Sequence, residues 1–174
     1  ERFRGTSVTA PLKTAFAIVD PADLAAIEGR IALLVGPDGT LDAAGRKLDR
    51  LTRGAVSRLV AGADFARAKA GSGHVLAWPA GLAAEALQVV KLARKPAPED
   101  ARRAGAAIAG FNGAVPLTVL AGATGRVAEI ALGLVLRAYE FTDYRTPAAD
   151  ARTPNRSVTI AVRDPDAAEA AFAP

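Results

Sequence analysis

Cysteine and methionine are absent from the 174 residues, and histidine occurs once, at His74. Without a thiol the chain has no disulfide, no thiolate nucleophile and no cysteine metal site. With a single imidazole it has no histidine cluster for a metal and no histidine pair for acid–base work. Aromatic residues make up only 5% of the chain. No apolar run free of charge reaches membrane-spanning length, and the start Glu1-Arg2-Phe3-Arg4 lacks the apolar centre of a signal peptide. These absences predict a soluble, cytoplasmic protein with no membrane partner. Runs of like charge are missing too. The formal charge is +4 and the pI near 9.8, but arginines are interspersed with Asp and Glu, as on an ordinary solvated surface. The missing initial methionine and the stop at Ala173-Pro174 are read as signs of a piece of a longer polypeptide.

What is present is alanine-rich apolar sequence. Hydrophobic residues are 51% of the total, and the length suits one domain able to bury a core without staples. Helices packed closely on a sheet follow from small apolar residues with few aromatics. Residues 1–14, with the β-prone Ser7-Val8-Thr9, are read as an arm or edge strand. Ala15 to Val19 reads as a strand ended by Asp20-Pro21, and Ala22 to Glu28 as a short helical turn. Ile31 to Val35 is a continuous apolar run, hence a central strand, closed by the turn Gly36-Pro37-Asp38-Gly39. Leu41, Ala44, Leu48, Leu51, Ala55 and Leu59 recur at helical spacing, so Asp42 to Ala61 is a helix broken near Gly54. His74 to Trp78 and Leu87 to Leu92 form an antiparallel pair. A helix over Pro98 to Phe111 is opened by proline and acidic residues and stopped at Asn112-Gly113. Pro116 to Leu120 is the next strand, Thr146 to Asn155 a surface loop and Ser157 to Val162 the last strand. Asp164-Pro165 then opens a terminal helix. Strands alternating with helices, plus one hairpin, predict an α/β fold: a mixed β-sheet flanked by helices in three layers.

Arg126 to Thr146 is the helix on which the rest is expected to be arranged, with Thr124 as its N-cap. At 100° per residue, Arg126, Glu129, Gly133, Arg137 and Glu140 share one polar stripe. Apolar residues cover roughly three quarters of the circumference, too wide for a one-sided surface helix. A core helix with protein on several sides is the expectation, with Gly133 admitting a close neighbour and Arg126–Glu129 and Arg137–Glu140 pairing at its wet edge. Tyr139, Phe141 and Tyr144 are expected to anchor its end, and truncating Phe141 to Ala should cost about 3–5 kcal/mol if it is core.

Little catalytic chemistry is legible. His74 lies beside two glycines with no second His or Cys to join it. Gly71-Ser72-Gly73 lacks the third glycine of a dinucleotide fingerprint and the spacing of a nucleophile elbow. No HExxH, aspartate cluster or acid–base carboxylate pair is present, so no catalytic residue, metal ligand or cofactor is assigned to this chain. Gly122-Ala123-Thr124-Gly125, between a strand and a helix, is the one candidate ligand loop, since helix N-termini offer free N–H groups to anions. It has no lysine in the P-loop position. Arg46, Lys47, Arg50, Arg53 and Arg58 form the densest basic face, the candidate surface for DNA.

Several short motifs together carry a resemblance. Gly133, Leu136, Tyr139, Phe141, Tyr144 and Arg145 spell G-x-x-L-x-x-Y-x-F-x-x-Y-R. Ala63-Asp64-Phe65 precedes Lys69 and Gly71, and Leu48 to Leu59 contains L-D-x-x-T-x-G-A. In this order the chain from about Ile31 to Val162 resembles the N-terminal domain of the leucyl aminopeptidase family. It departs at Leu132, where many relatives carry Glu, and at Lys91-Leu92-Ala93-Arg94-Lys95, which replaces a glycine turn. The resemblance implies a macro-like fold over residues 15–163, with 164–174 starting a linker helix towards a catalytic domain absent from this chain. It implies a non-catalytic role in oligomer assembly, as a hexamer, and in access to the active site. The parent enzyme would release N-terminal amino acids from peptides with two divalent metal ions, Zn or Mn, held in its C-terminal domain. The alternative is a free-standing macro-like module for a nucleotide-type ligand or DNA, because proteins of that fold hold ADP-ribose phosphates in glycine loops at strand ends.

Overall fold

A computed structural model of the chain describes residues 12–111, 115–143 and 157–173, and for 140–143 the backbone only. Six strands form one sheet in the order β1-β6-β5-β2-β4-β3. They are β1 Lys13–Ala17, β2 Arg30–Val35, β3 Gly73–Ala77, β4 Ala86–Lys91, β5 Leu117–Gly122 and β6 Ser157–Val162. All neighbours are parallel except β3 and β4, the expected hairpin, in which His74 faces Val89. The helices are α1 Ala43–Leu51, α2 Ala55–Val60, α3 Ala63–Arg67, α4 Pro98–Phe111, α5 Val127–Asp143 and α6 Pro165–Phe172, with a 3₁₀ turn at Pro21–Ala26. The sequence misses α3 and places β1 two residues late, while α4 and β6 fall where the patterns put them. The helix stop at Asn112-Gly113, the N-terminal run Ser7-Val8-Thr9 and the loop before β6 lie outside the described residues.

Both sheet faces are covered, and the side chains divide by strand alternation. Ala32, Leu34 and Val90 face α4 and α5, whereas Ile31, Leu33, Val35 and Val89 face Leu24, Leu48, Val56 and Phe65 on the other side. That is why β2 and β4 are apolar at nearly every position: a strand buried on both sides has no polar face to alternate. The result is the three-layer α/β arrangement expected. At one edge α6 is held by Phe172, whose ring meets Phe16 of β1 edge to face at 5.8 Å. Its N-cap is as expected, Asp164 Oδ1 accepting from the Ala167 N–H at 3.0 Å.

The α4–α5 contact is made backbone to backbone. A Cβ placed on Gly105 would lie 2.0 Å from the Ile130 carbonyl oxygen, and one on Gly133 2.1 Å from that of Arg102. Ala101, Ala104 and Ala131 fill the rest of the seam and are fully buried. Gly133 therefore does admit a close neighbour, but the neighbour is α4 of the same chain, and the residue is buried and not part of a wet stripe.

Three further expectations for this helix are corrected. Helix α5 packs on the sheet, on α4 and on α6, with Ile130, Ala131 and Leu134 buried, but it is not enclosed: Leu132, Leu136 and Tyr139 are 38%, 55% and 68% exposed. The apolar width that implied surrounding protein is in part an exposed apolar face, and Tyr139 is not a buried anchor. The side chains of Phe141 and Tyr144 lie outside the described residues. Second, Thr124 does not cap the helix. The first turn bonds back to the Arg126 carbonyl, which receives the N–H groups of Glu129 and Ile130, so Arg126, at φ 57°, holds the cap position. Third, Glu129 pairs with Arg102 of α4 at 2.6 Å, not with Arg126, whose Nε instead donates to the Pro96 carbonyl at 2.9 Å.

Candidate functional site

Adjacent parallel strands β2 and β5 send their chains to opposite faces. After β2 the path leads to α1 on one side, and after β5 to α5 on the other. Such a divergence leaves a crevice beyond the carboxyl ends of the strands, the usual ligand position in open α/β sheets. A cleft of about 900 Å³ lies there. Leu34 and Leu120 from the strand ends form part of its floor, with Ile18, Leu24 and Leu41 as apolar walls.

Polar groups gather around the end of β5. The strand carries an irregularity between Leu120 and Gly122, and Gly122 sits at φ 56°, where a side chain is strained. A Cβ there would also come within 2.7 Å of Asp42 Oδ2. Asp42 is the N-cap of α1, its Oδ1 accepting from the Gly45 N–H at 2.8 Å. Val162 is the partner of Gly122 in the sheet, so Arg163 follows directly beside it. From the other flank the segment after β4 crosses over: the Arg94 carbonyl accepts the Gly125 N–H at 2.8 Å. Arg94 and Arg163 both line the cleft, and neither makes an ion pair among the described residues. Asp38 stands on the rim after β2. The Thr40 hydroxyl, 2.6 Å from Oδ2, and then the Thr40 N–H, 3.1 Å from Oδ1, hold its carboxyl below the usual carboxylate range.

Of the candidate loop, Gly122 and Thr124 line the cleft, while Gly125 is turned into the contact with Arg94. Two of the loop's N–H groups are already engaged within the chain, Thr124 N–H donating to the Ala121 carbonyl at 3.0 Å and Gly125 N–H to that of Arg94. Asp42, Arg94 and Arg163 were not singled out by sequence reasoning. The available signal was positional, since each lies just past a strand end or at the first cap of the helix that follows one. His74 is elsewhere, on β3, its half-buried ring 5.7 Å from that of Phe65 and its Nε2 buried without a hydrogen-bond partner among the described residues. Arg46, Arg50, Arg53 and Arg58 are exposed as expected, two of them turned back onto backbone carbonyls. Among the described residues, no three His, Cys, Asp or Glu side chains lie together as a metal ion requires, and no helix is long and apolar enough to cross a membrane.

Comparison with known proteins places this architecture. The sequence model of the cytosol aminopeptidase family, N-terminal domain, matches residues 32–148. A protein of Dinoroseobacter shibae named "Probable cytosol aminopeptidase" is 42% identical over 158 residues, covering 91% of this chain and 32% of its own length. Among solved structures, a tomato leucine aminopeptidase mutant superposes with a TM-score of 0.65 at 17% identity, over 97% of this chain and 36% of that one. A Trypanosoma brucei macrodomain in complex with ADP-ribose superposes with a TM-score of 0.58 at 10% identity, over 91% of this chain and 67% of that one, a likeness of fold alone. The chain thus spans about a third of the length of the aminopeptidases it matches. With the family model covering two thirds of the chain and a close relative nearly all of it, the chain belongs to the cytosol aminopeptidase family and corresponds to its N-terminal domain.

Proposed function

We infer that this chain is the non-catalytic N-terminal part of a metal-dependent leucyl aminopeptidase. The parent polypeptide releases N-terminal amino acids from peptides, with two divalent ions, zinc or manganese, bound in its C-terminal catalytic domain. Residues 1–14 serve as an arm, 15–163 as the macro-like domain and 164–174 as the start of the helix leading to the catalytic part. Work in the cytoplasm, in a homohexamer whose assembly and active-site access this domain controls, completes the reading. The observation that carries it is the asymmetry of coverage: 91% of this chain aligns with only 32% of the relative, which leaves the relative a far larger remainder in which to keep its chemistry. A free-standing module for a nucleotide-type ligand or DNA is less well supported. The N–H groups of Thr124 and Gly125 are spent within the chain, and a carboxylate abuts Gly122, which opposes a bound polyphosphate.

Leucine p-nitroanilide with added manganese tests the reading on the chain and on a longer polypeptide that continues past Pro174. Release is expected from the longer polypeptide and none from this chain; hydrolysis by the chain alone would sink the reading. Deleting residues 1–163 from the longer polypeptide should dissociate its assembly in sedimentation velocity. An intact hexamer with unaltered kcat/KM would reject the assembly and access role.

A further inference from the structure

We propose that the cleft at the ends of β2 and β5 binds a small zwitterion with an apolar side chain, that is, a free amino acid or short peptide, and so senses what the catalytic part consumes or releases. The choice of such a ligand rests on the aminopeptidase reading; the site itself rests on the geometry. Its size lies within the range of small-molecule pockets, and it occupies the position where open α/β sheets hold ligands. Its lining carries charges of both signs, Asp38 and Asp42 with Arg46, Arg94 and Arg163. Asp42 Oδ1 is committed to capping α1, but Oδ2 accepts no hydrogen bond among the described residues and faces the bare backbone of Gly122. Arg163 follows the sheet partner of Gly122, and Arg94 is drawn to the same loop through Gly125. Neither guanidinium is paired among the described residues.

A lining that holds both carboxylates and guanidiniums suits a ligand carrying an ammonium and a carboxylate. The ammonium meets Asp42 Oδ2, the carboxylate is held by Arg94 or Arg163, and Leu24, Leu34, Leu41 and Leu120 take the side chain. Gly122 is the position that keeps this centre open, since any Cβ there would press on the Asp42 carboxylate.

The test is a ¹⁵N–¹H NMR titration of the labelled chain with L-leucine, L-leucyl-L-leucine, N-acetyl-leucinamide and ADP-ribose. Saturable shifts confined to the loops around Asp42 and Gly122 are expected with leucine or the dipeptide, and none with the blocked leucinamide. Tighter binding of leucine identifies product sensing, and tighter binding of the dipeptide identifies substrate sensing. Asp42→Asn keeps the helix cap, because asparagine caps as well as aspartate. It should leave the melting temperature unchanged and weaken binding about tenfold or more. Arg94→Gln combined with Arg163→Gln should do the same. The proposal is overturned if neither leucine ligand gives saturable shifts up to about 10 mM, if Asp42→Asn binds like the wild type, or if ADP-ribose alone fills the cleft. A parent that hydrolyses peptides while the cleft stays silent overturns this inference only. A parent that does not hydrolyse them overturns the functional reading, whatever the cleft binds.

Discussion

At Lys91 one side chain closes the end of a helix too short to close itself. Its Nζ donates to the carbonyl oxygens of Phe65, Ala66 and Ala68 at 3.0, 3.1 and 3.0 Å, and lies 5.3 Å from the centre of the Phe65 ring. Helix α3 has five residues, and although the Phe65 carbonyl also takes the Ala68 N–H at 3.2 Å, Lys91, 8% exposed, supplies donors to the carbonyls at this helix end that water cannot easily bring. Lys91→Met keeps the stem and removes the donors. It should destabilise the chain by about 2–4 kcal/mol in urea unfolding, from buried acceptors left unsatisfied. A loss below about 0.5 kcal/mol would show that water replaces the ammonium. The second residue-scale prediction concerns Asp38. Its folded pKa is depressed, so its contribution to stability is present above the unfolded value near 3.9 and fades as pH falls through the folded value. Being fully exposed, the group shifts stability little. Thr40→Val removes the larger cause, the hydroxyl hydrogen bond, and should raise the Asp38 pKa without abolishing the shift, because the backbone N–H remains. Carboxyl-carbon NMR titration reads this directly.

At the scale of elements, the α4–α5 seam sets the sign of a substitution that helix propensity would get wrong. Gly→Ala inside a helix ordinarily gains about 1 kcal/mol. At Gly105 and Gly133 the new methyl meets a backbone carbonyl at 2.0 and 2.1 Å, and backbone cannot turn aside as a side chain can. Each substitution should destabilise by about 2 kcal/mol or more. Thermal melts that rise for either variant would mean that the helices stand further apart than the structure places them. The outer face of α5 behaves in the opposite way. Leu136, 55% exposed, should tolerate Gln within about 0.5 kcal/mol in this chain alone. The helix pattern was legible in the sequence; which of its apolar sides was covered was not. Periodicity reports that a face is apolar, but not whether a neighbour of the same chain reaches it. The same limit applies to Gly133, which shares a stripe with Arg126 and Glu129 on a helical wheel yet sits in the close backbone contact between α5 and α4.

For the whole molecule, five of six strands run parallel or pair across distant sequence. β1 lies against β6, and β2 between β5 and β4 rather than beside β1 or β3. Each pairing closes a long loop before it is rewarded. Refolding in stopped flow should therefore occur in milliseconds or slower. A full-amplitude phase faster than about 0.1 ms would contradict this dependence on distant contacts. The cleft is a property of this scale as well. Asp42, Arg94 and Arg163 are separated by tens of residues and belong to three different connections, so no local motif announces them. They line one cleft because parallel strands bring their carboxyl ends to one edge of the sheet.

Local physical chemistry determined most of the elements: doubly buried strands are apolar at most positions, proline and aspartate open α4 and α6, and Gly54 breaks the helix before α2. The ordered short motifs carried the family likeness, because their order and spacing together are more specific than any one of them. Only the tertiary structure decided where Arg126 and Glu129 bond, that Thr124 lies ahead of the cap, and which charged groups share the cleft. Those outcomes depend on distances between segments far apart in the chain, and such distances are set by how layers and strands pack.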